Sequence, residues 1–114
     1  FAVAGGVAAA VVKAIHRIDP DREVKVVNAE GLADCKKMLM LARTGKYNGY
    51  LMEGMACPGG CVGGAGTTQP IKKSIAAVTK NKTTAPYADA SDSKYQELLP
   101  ELQEQKKKFI NEKV

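Results

Sequence analysis

Tryptophan is absent from this chain of 114 residues, and other aromatics are scarce, with two Phe and four Tyr. No platform is left on which nucleic-acid bases could stack, so the formal net charge of +5 does not mark a nucleic-acid partner. The lysines are spread along predicted helices, and Lys106-Lys107-Lys108 reads as a solvated face near a terminus. Long apolar runs are also missing. None approaches the roughly 20 residues that span a bilayer. Residues 1–12 are apolar but contain two glycines and have no basic lead-in, so neither a signal peptide nor a membrane partner is expected. Cysteine occurs three times, an odd number that excludes a self-contained disulfide framework, and reduced thiols point to a cytoplasmic setting. The first residue is Phe rather than Met, and a longer parent polypeptide is expected.

What is present is ordinary for a soluble globular protein: 45% apolar and 25% charged residues, enough for one domain with a core of its own. Val7, Val11, Ala14, Ile15 and Ile18 recur at helical spacing, and the spacing predicts a helix over about 5–18, stopped by Asp19-Pro20-Asp21. Val24, Val26 and Val27 predict a short strand over 23–29. Leu32, Cys35, Leu39 and Ala42 predict the apolar face of a second helix, capped by Gly45. A second strand is expected over 47–53. Strand, helix, strand with short links is a βαβ unit with a parallel pair, so the fold class is α/β with flanking helices. Sites in such folds lie beyond the carboxyl ends of the strands. Further on, Pro70 suits the first turn of a short helix with Ile71, Ile75 and Val78 on one face. Residues 80–92 read as a linker, and Ser93 with Gln96 resembles a capping box. Tyr95, Leu98, Leu99, Leu102 and Phe109 continue an amphipathic tail that Pro100 should break or restart.

The chemistry is concentrated in Met55-Ala56-Cys57-Pro58-Gly59-Gly60-Cys61-Val62-Gly63-Gly64-Ala65-Gly66. Two thiols stand four residues apart in a stretch, 54–66, where six of thirteen residues are glycine. Thiolates bind soft metals and iron–sulfur clusters, and glycines let backbone approach a bulky group closely. A [4Fe-4S] cluster takes four cysteines, and this pair supplies two. Cys35, on an apolar helix face, reads as a small hydrophobe, and His16 as a surface or core-edge residue rather than a ligand. A zinc site would need two more ligands. A redox dithiol usually has two intervening residues, and here there are three. The glycine pairs lack the Lys-Ser/Thr ending of a phosphate loop. Chemistry alone therefore reaches half of an iron–sulfur site and no further.

Met55-Ala56-Cys57-Pro58-Gly59-Gly60-Cys61, followed by a glycine run and Gln69-Pro70, resembles the third cysteine motif of the [FeFe]-hydrogenase catalytic domain. Ala4-Gly5-Gly6-Val7 is similar to the segment that opens a helix in that family, and Leu51-Met52-Glu53 sits where the family has a short strand ending in Glu. The run Gly63-Gly64-Ala65-Gly66-Thr67-Thr68-Gln69-Pro70 is longer than the family's usual Gly-Gly-Gly-Gln-Pro, which resembles a divergent branch.

The resemblance implies an α/β fragment of a larger H-cluster domain, with residues 1–80 as its C-terminal lobe and 81–114 as linker and helical small-subunit-like tail. It implies a cofactor, the H-cluster, in which a [4Fe-4S] cubane is joined through a cysteine sulfur to a two-iron subcluster. Cys57 would be a cubane ligand, and Cys61 the ligand that also bridges to the two-iron unit. Met55 would pack near the diatomic ligands, and Gly59, Gly60 and Gly63 would bring backbone close to the cubane. The implied activity is interconversion of protons plus electrons and H2 in the full-length protein, with a ferredoxin-type electron carrier and the remainder of the hydrogenase domain as partners. The alternative is a non-catalytic hydrogenase-like redox or H2 sensor, or an iron–sulfur assembly protein. With two thiols available in the loop, the isolated fragment is expected to be inactive, to bind no cluster, and to self-associate through exposed apolar surface.

Overall fold

The computed structural model describes the backbone of residues 1–111 and the side chains of residues 1–105. Among the described residues four α-helices and two strands follow in the order α1 (Gly6–Ile18), β1 (Lys25–Glu30), α2 (Leu32–Arg43), β2 (Tyr50–Met55), α3 (Ile71–Thr84) and α4 (Leu99–Asn111). Short 3-10 turns cover Cys61–Gly63, Ala90–Asp92 and Lys94–Leu98. The strands form a two-stranded parallel sheet in which Lys25 pairs with Tyr50, Asn28 with Glu53 and Glu30 with Met55. This is the expected βαβ unit.

Local chemistry explains the boundaries. α1 ends at Asp19, whose N–H bonds the Ile15 carbonyl at 2.8 Å, and Pro20 cannot extend the helix. α2 ends where Gly45 turns to φ +84, donating to the Ala42 carbonyl while Lys46 donates to that of Leu41. That pair of bonds is a Schellman closure, and it requires a residue that tolerates positive φ.

β2 sorts the helices onto the two faces of the sheet. Glu53 reaches the first turn of α1. A Cβ on the next residue, Gly54, would stand 3.3 Å from Cys35 Sγ and 3.6 Å from Met38 Cε of α2. Successive strand residues point to opposite faces, so α1 and α2 cover opposite faces. Farther along α1, Lys13 Nζ donates to the Ala88 carbonyl at 3.0 Å, and Arg17 pairs with Asp92 at 2.7 Å and Asp89 at 3.1 Å. These contacts hold the 88–92 turn against the helix.

Four expectations are corrected. Among the described residues the chain buries no core of its own: of their apolar side chains only Ala8 and Met38 are buried. Its accessible surface is 9038 Å², against about 6,000 Å² for a compact monomer of this mass. Two strands and two helices offer too few facing layers to enclose side chains. The inward stripes are also rotated. On α1 they are Ala8, Val12 and Ile15, while Val7, Val11 and Ile18 are exposed; on α2 they are Cys35, Met38 and Ala42, while Leu32 and Leu39 are exposed. α3 runs through Thr84, four residues past the expected start of the linker, with Thr83 and Thr84 hydroxyls donating to the Lys80 carbonyl. The capping box does not form. Ser93 Oγ accepts from the Tyr95 amide, and Gln96 donates to the Ala90 carbonyl instead of reaching back to Ser93. α4 starts at Leu99, with Pro100 in its first turn, as a restart requires. The side chains of Phe109 and the lysine run at 106–108 lie outside the described residues. No helix among the described residues is long and apolar enough to cross a membrane.

Candidate functional site: the cysteine loop

The chain leaves β2 at Met55 and enters the loop at once. Cys57 is half-buried and Cys61 is exposed, and neither is disulfide-bonded. The loop folds as successive tight turns: Gly60 N–H donates to the Cys57 carbonyl, Gly63 N–H to that of Gly60, and Gly64 N–H to that of Cys61, at 3.0, 3.0 and 3.1 Å. Gly59 and Gly60 take φ +79 and +89, which excludes ordinary side chains.

Neighbours hold this loop on three sides. From the start of the chain, Ala4 N–H donates to the Gly59 carbonyl at 3.2 Å, and Val62 N–H donates to the Ala2 carbonyl at 3.1 Å. The approach is so close that a Cβ on Gly60 would lie 2.6 Å from Ala4 N and 2.7 Å from the Ala2 oxygen. From the end of β1, Glu30 Oε2 accepts the Gly59 amide at 2.7 Å. From α3, Ile71 packs on Gly59 and Gly63, where Cβ atoms would stand 2.7 Å from Ile71 Cγ2 and 3.1 Å from its Cδ1. Gly64 lies beside Cys57, with a would-be Cβ 3.6 Å from its sulfur.

Glu53, four residues before Cys57, is the one buried charged side chain among the described residues. Its Oε1 accepts the Val7 and Ala8 amides at 3.0 and 2.9 Å, and its Oε2 accepts the Gly5 amide in a short contact. α1 begins with Gly5 at φ +81 and has no side-chain cap of its own. Glu53 therefore satisfies orphan first-turn amides from 45 or more residues away, and its negative charge meets the positive end of the helix dipole. Neither Glu30 nor Glu53 is among the residues expected at the site. The available signals were a lone carboxylate in the strand Tyr50–Met55 and a helix opening on Gly-Gly with no Ser, Thr, Asp or Asn to cap it.

The structure brings Cys57, Gly59, Gly60, Cys61 and Gly63 together on one loop, with Met55 half-buried at its entry. It leaves Cys35 and His16 outside. Cys35 Sγ donates to the carbonyls of Ala29 and Met55, and His16 Nε2 lies 3.1 Å from the Arg22 carbonyl. No cluster of three or more His, Cys, Asp or Glu that could hold a metal ion occurs among the described residues. Two soft thiols on a glycine-rich loop fit one side of an iron–sulfur group, and the remaining ligands must come from other residues.

Comparison with known proteins bears on the same stretch. Residues 1–65 match the family described as iron only hydrogenase large subunit, C-terminal domain. Over 69 residues, 60% of this chain, the sequence is 35% identical to the NADP-reducing hydrogenase subunit HndD of Solidesulfovibrio fructosivorans. The matched stretch is 11% of that protein, so the chain spans a small part of its relative. No solved structure matches.

Proposed function

This chain belongs to the family formed by the C-terminal domain of iron-only hydrogenase large subunits, and we propose that it carries two of the thiol ligands of the metal centre in such a protein. The observation that carries the proposal is that the family match, residues 1–65, takes in both thiols and also the segment, 2–4, that is bonded to their loop. In this reading residues 1–80 are the C-terminal lobe of an H-cluster domain, and 81–114 its linker and helical tail.

Cys57 would hold the [4Fe-4S] cubane, and Cys61 would hold it and bridge to the two-iron subcluster. When bound, the H-cluster supplies the interconversion of protons plus electrons and H2. The chain's own residues then have defined tasks. Gly59, Gly60 and Gly63 let the loop turn tightly against Ile71 and segment 2–4, with their own amides bonded to Glu30 and within the loop, and so would fix where backbone and the two thiols stand beside the group. Met55 contributes a soft apolar wall that keeps water out. The remainder of the hydrogenase domain supplies the missing ligands and covers the exposed Leu32, Leu39 and Met40. Electrons arrive from a ferredoxin-type carrier in the same compartment, the cytoplasm.

The test is made on the full polypeptide, assembled without oxygen. Cys57→Ser and Cys61→Ser should each lower bound iron and abolish H2 evolution from reduced viologen, while Cys35→Ser should leave both intact. Wild-type iron content and H2 evolution in both loop variants would overturn the assignment. Normal iron without H2 turnover in the unmutated protein would point instead to a sensor or assembly role.

A further inference from the structure

We propose that Glu53 is a positioning residue for the loop that carries Cys57 and Cys61, acting through residues 2–8 of the same chain. The argument is a chain of bonds. Glu53 holds the amides of Gly5, Val7 and Ala8. The residues just before Gly5 are those that touch the loop: Ala4 donates to the Gly59 carbonyl, and the Ala2 carbonyl accepts from Val62. Gly60 fits against Ala2, Val3 and Ala4 with no room for a Cβ. Segment 2–4 has no helix or strand of its own; the loop holds it on one side, and on the other the Gly6 amide donates to the Val3 carbonyl at 3.0 Å, tying it to the first turn of α1 that Glu53 anchors.

The arrangement closes a ring. β2 carries Glu53 and runs directly into the loop, the loop bonds segment 2–4, segment 2–4 runs into α1, and the first turn of α1 returns to Glu53. A buried carboxylate bonded to three amides is a strong anchor, because hydrogen bonds to a charged acceptor are shorter and stronger than neutral ones. Removing it leaves the first-turn amides of α1 without partners. Their release frees segment 2–4 to move away from Gly59 and Val62. Glu30 makes a second, direct bond to the Gly59 amide, so loss of Glu53 loosens the loop without detaching it.

The consequence for metal binding rests on the proposed ligand role of Cys57 and Cys61. The positioning itself does not, and is read on the metal-free full chain. Hydrogen exchange followed residue by residue by NMR is the primary measurement, with iodoacetamide alkylation of Cys57 as the second. In Glu53→Ala, exchange at Ala4 and Val62 and alkylation of the half-buried Cys57 should each speed up about tenfold, while amides inside α2 stay protected. Glu53→Gln keeps an acceptor for Val7 and Ala8 but sets an NH2 against the Gly5 amide, and should give a smaller increase, about threefold.

A helix cap with no influence on the loop would speed exchange only at Gly5, Val7 and Ala8. Unchanged exchange at Val62 in Glu53→Ala overturns the proposal. If Glu53→Ala fails to fold, the isosteric Glu53→Gln decides, and unchanged Val62 exchange there overturns it equally. Iron content of the same variants in the full polypeptide is a separate readout. It addresses the ligand assignment, so failure of one reading can be told from failure of the other.

Discussion

Replacing Gly63 by alanine is expected to disturb the cysteine loop more than replacing Gly66, although only Gly66 has left-handed backbone. A Cβ on Gly63 would lie 2.2 Å from the Pro58 carbonyl oxygen and 3.1 Å from Ile71 Cδ1. Ile71 Cδ1 is the end of a flexible side chain and can turn aside. The Pro58 oxygen is backbone, and must withdraw by most of an ångström to reach the 3.0 Å below which Cβ contacts are essentially never seen. Overpacking that displaces backbone costs about 1–3 kcal/mol. The displaced peptide lies inside the turn closed by the Gly60-to-Cys57 bond, and loss of that bond adds about 1 kcal/mol.

Gly66 is a different case. Its φ is +85, but a Cβ there would meet nothing within 4 Å. Alanine in the left-handed region costs about 1–2 kcal/mol. The smaller freedom of the unfolded chain offsets about 0.4–1 kcal/mol of this. The difference is read by hydrogen exchange at Gly60 and Gly64, whose amides close the turns around Cys57 and Cys61. Gly63→Ala should accelerate both by about 30- to 900-fold, and Gly66→Ala by no more than about 15-fold. Protection within twofold of wild type in Gly63→Ala would refute the steric argument, as would Gly66→Ala being the more disruptive of the two.

Two further outcomes are expected. The Ser91 hydroxyl, followed by the Ser91 amide, holds the Asp89 carboxyl below the usual carboxylate range, with Arg17 contributing less. A depressed carboxyl contributes stability above its unfolded pKa and loses it as pH falls through the folded value, so the 88–92 turn should detach from α1 only in strong acid. An NMR titration should move the Asp89 midpoint upward more in Ser91→Ala than in Arg17→Ala, and the reverse order would contradict the assignment of cause. At the end of α2, Gly45→Ala places a Cβ at φ +84, 3.4 Å from Asn48 Nδ2. It should cost about 1 kcal/mol, seen as a lower urea midpoint with unchanged slope, and an unchanged midpoint would count against the Schellman closure.

The features that were legible in the sequence are local ones. The Asp19-Pro20 stop, the Gly45 turn and the strand–helix–strand order follow from backbone rules that act within a few residues. The inward face of α1 was not legible, because Val7, Ala8, Val11, Val12 and Ile15 surround the helix with apolar groups and allow more than one stripe. The end of α3 is not legible because Lys80, Asn81 and Lys82 are as polar as a linker, and that exposed last turn carries no apolar stripe to distinguish it. The loop's cysteines and glycines could be read directly as a motif. Glu53 and Glu30 could not, because each acts on backbone amides, which have no identity in a sequence, across 29 to 48 residues.

The alternation of β2 explains why the loop leaves the sheet from a defended position. Glu53 points to the α1 face and fixes that helix by its amides. Gly54 points to the α2 face, where its missing side chain admits Cys35 and Met38. The carbonyl of Met55 is then held twice, by the Gly31 amide at 2.8 Å and by Cys35 Sγ at 3.5 Å. Three successive residues thus tie the strand to both helices immediately before Ala56 and Cys57. A side chain at position 54 would push α2 away, and an apolar residue at 53 would leave α1 uncapped. A strand of six residues in a sheet of two has little burial to steady it. The steadiness of the thiol-bearing loop therefore derives from these polar and steric contacts rather than from a core.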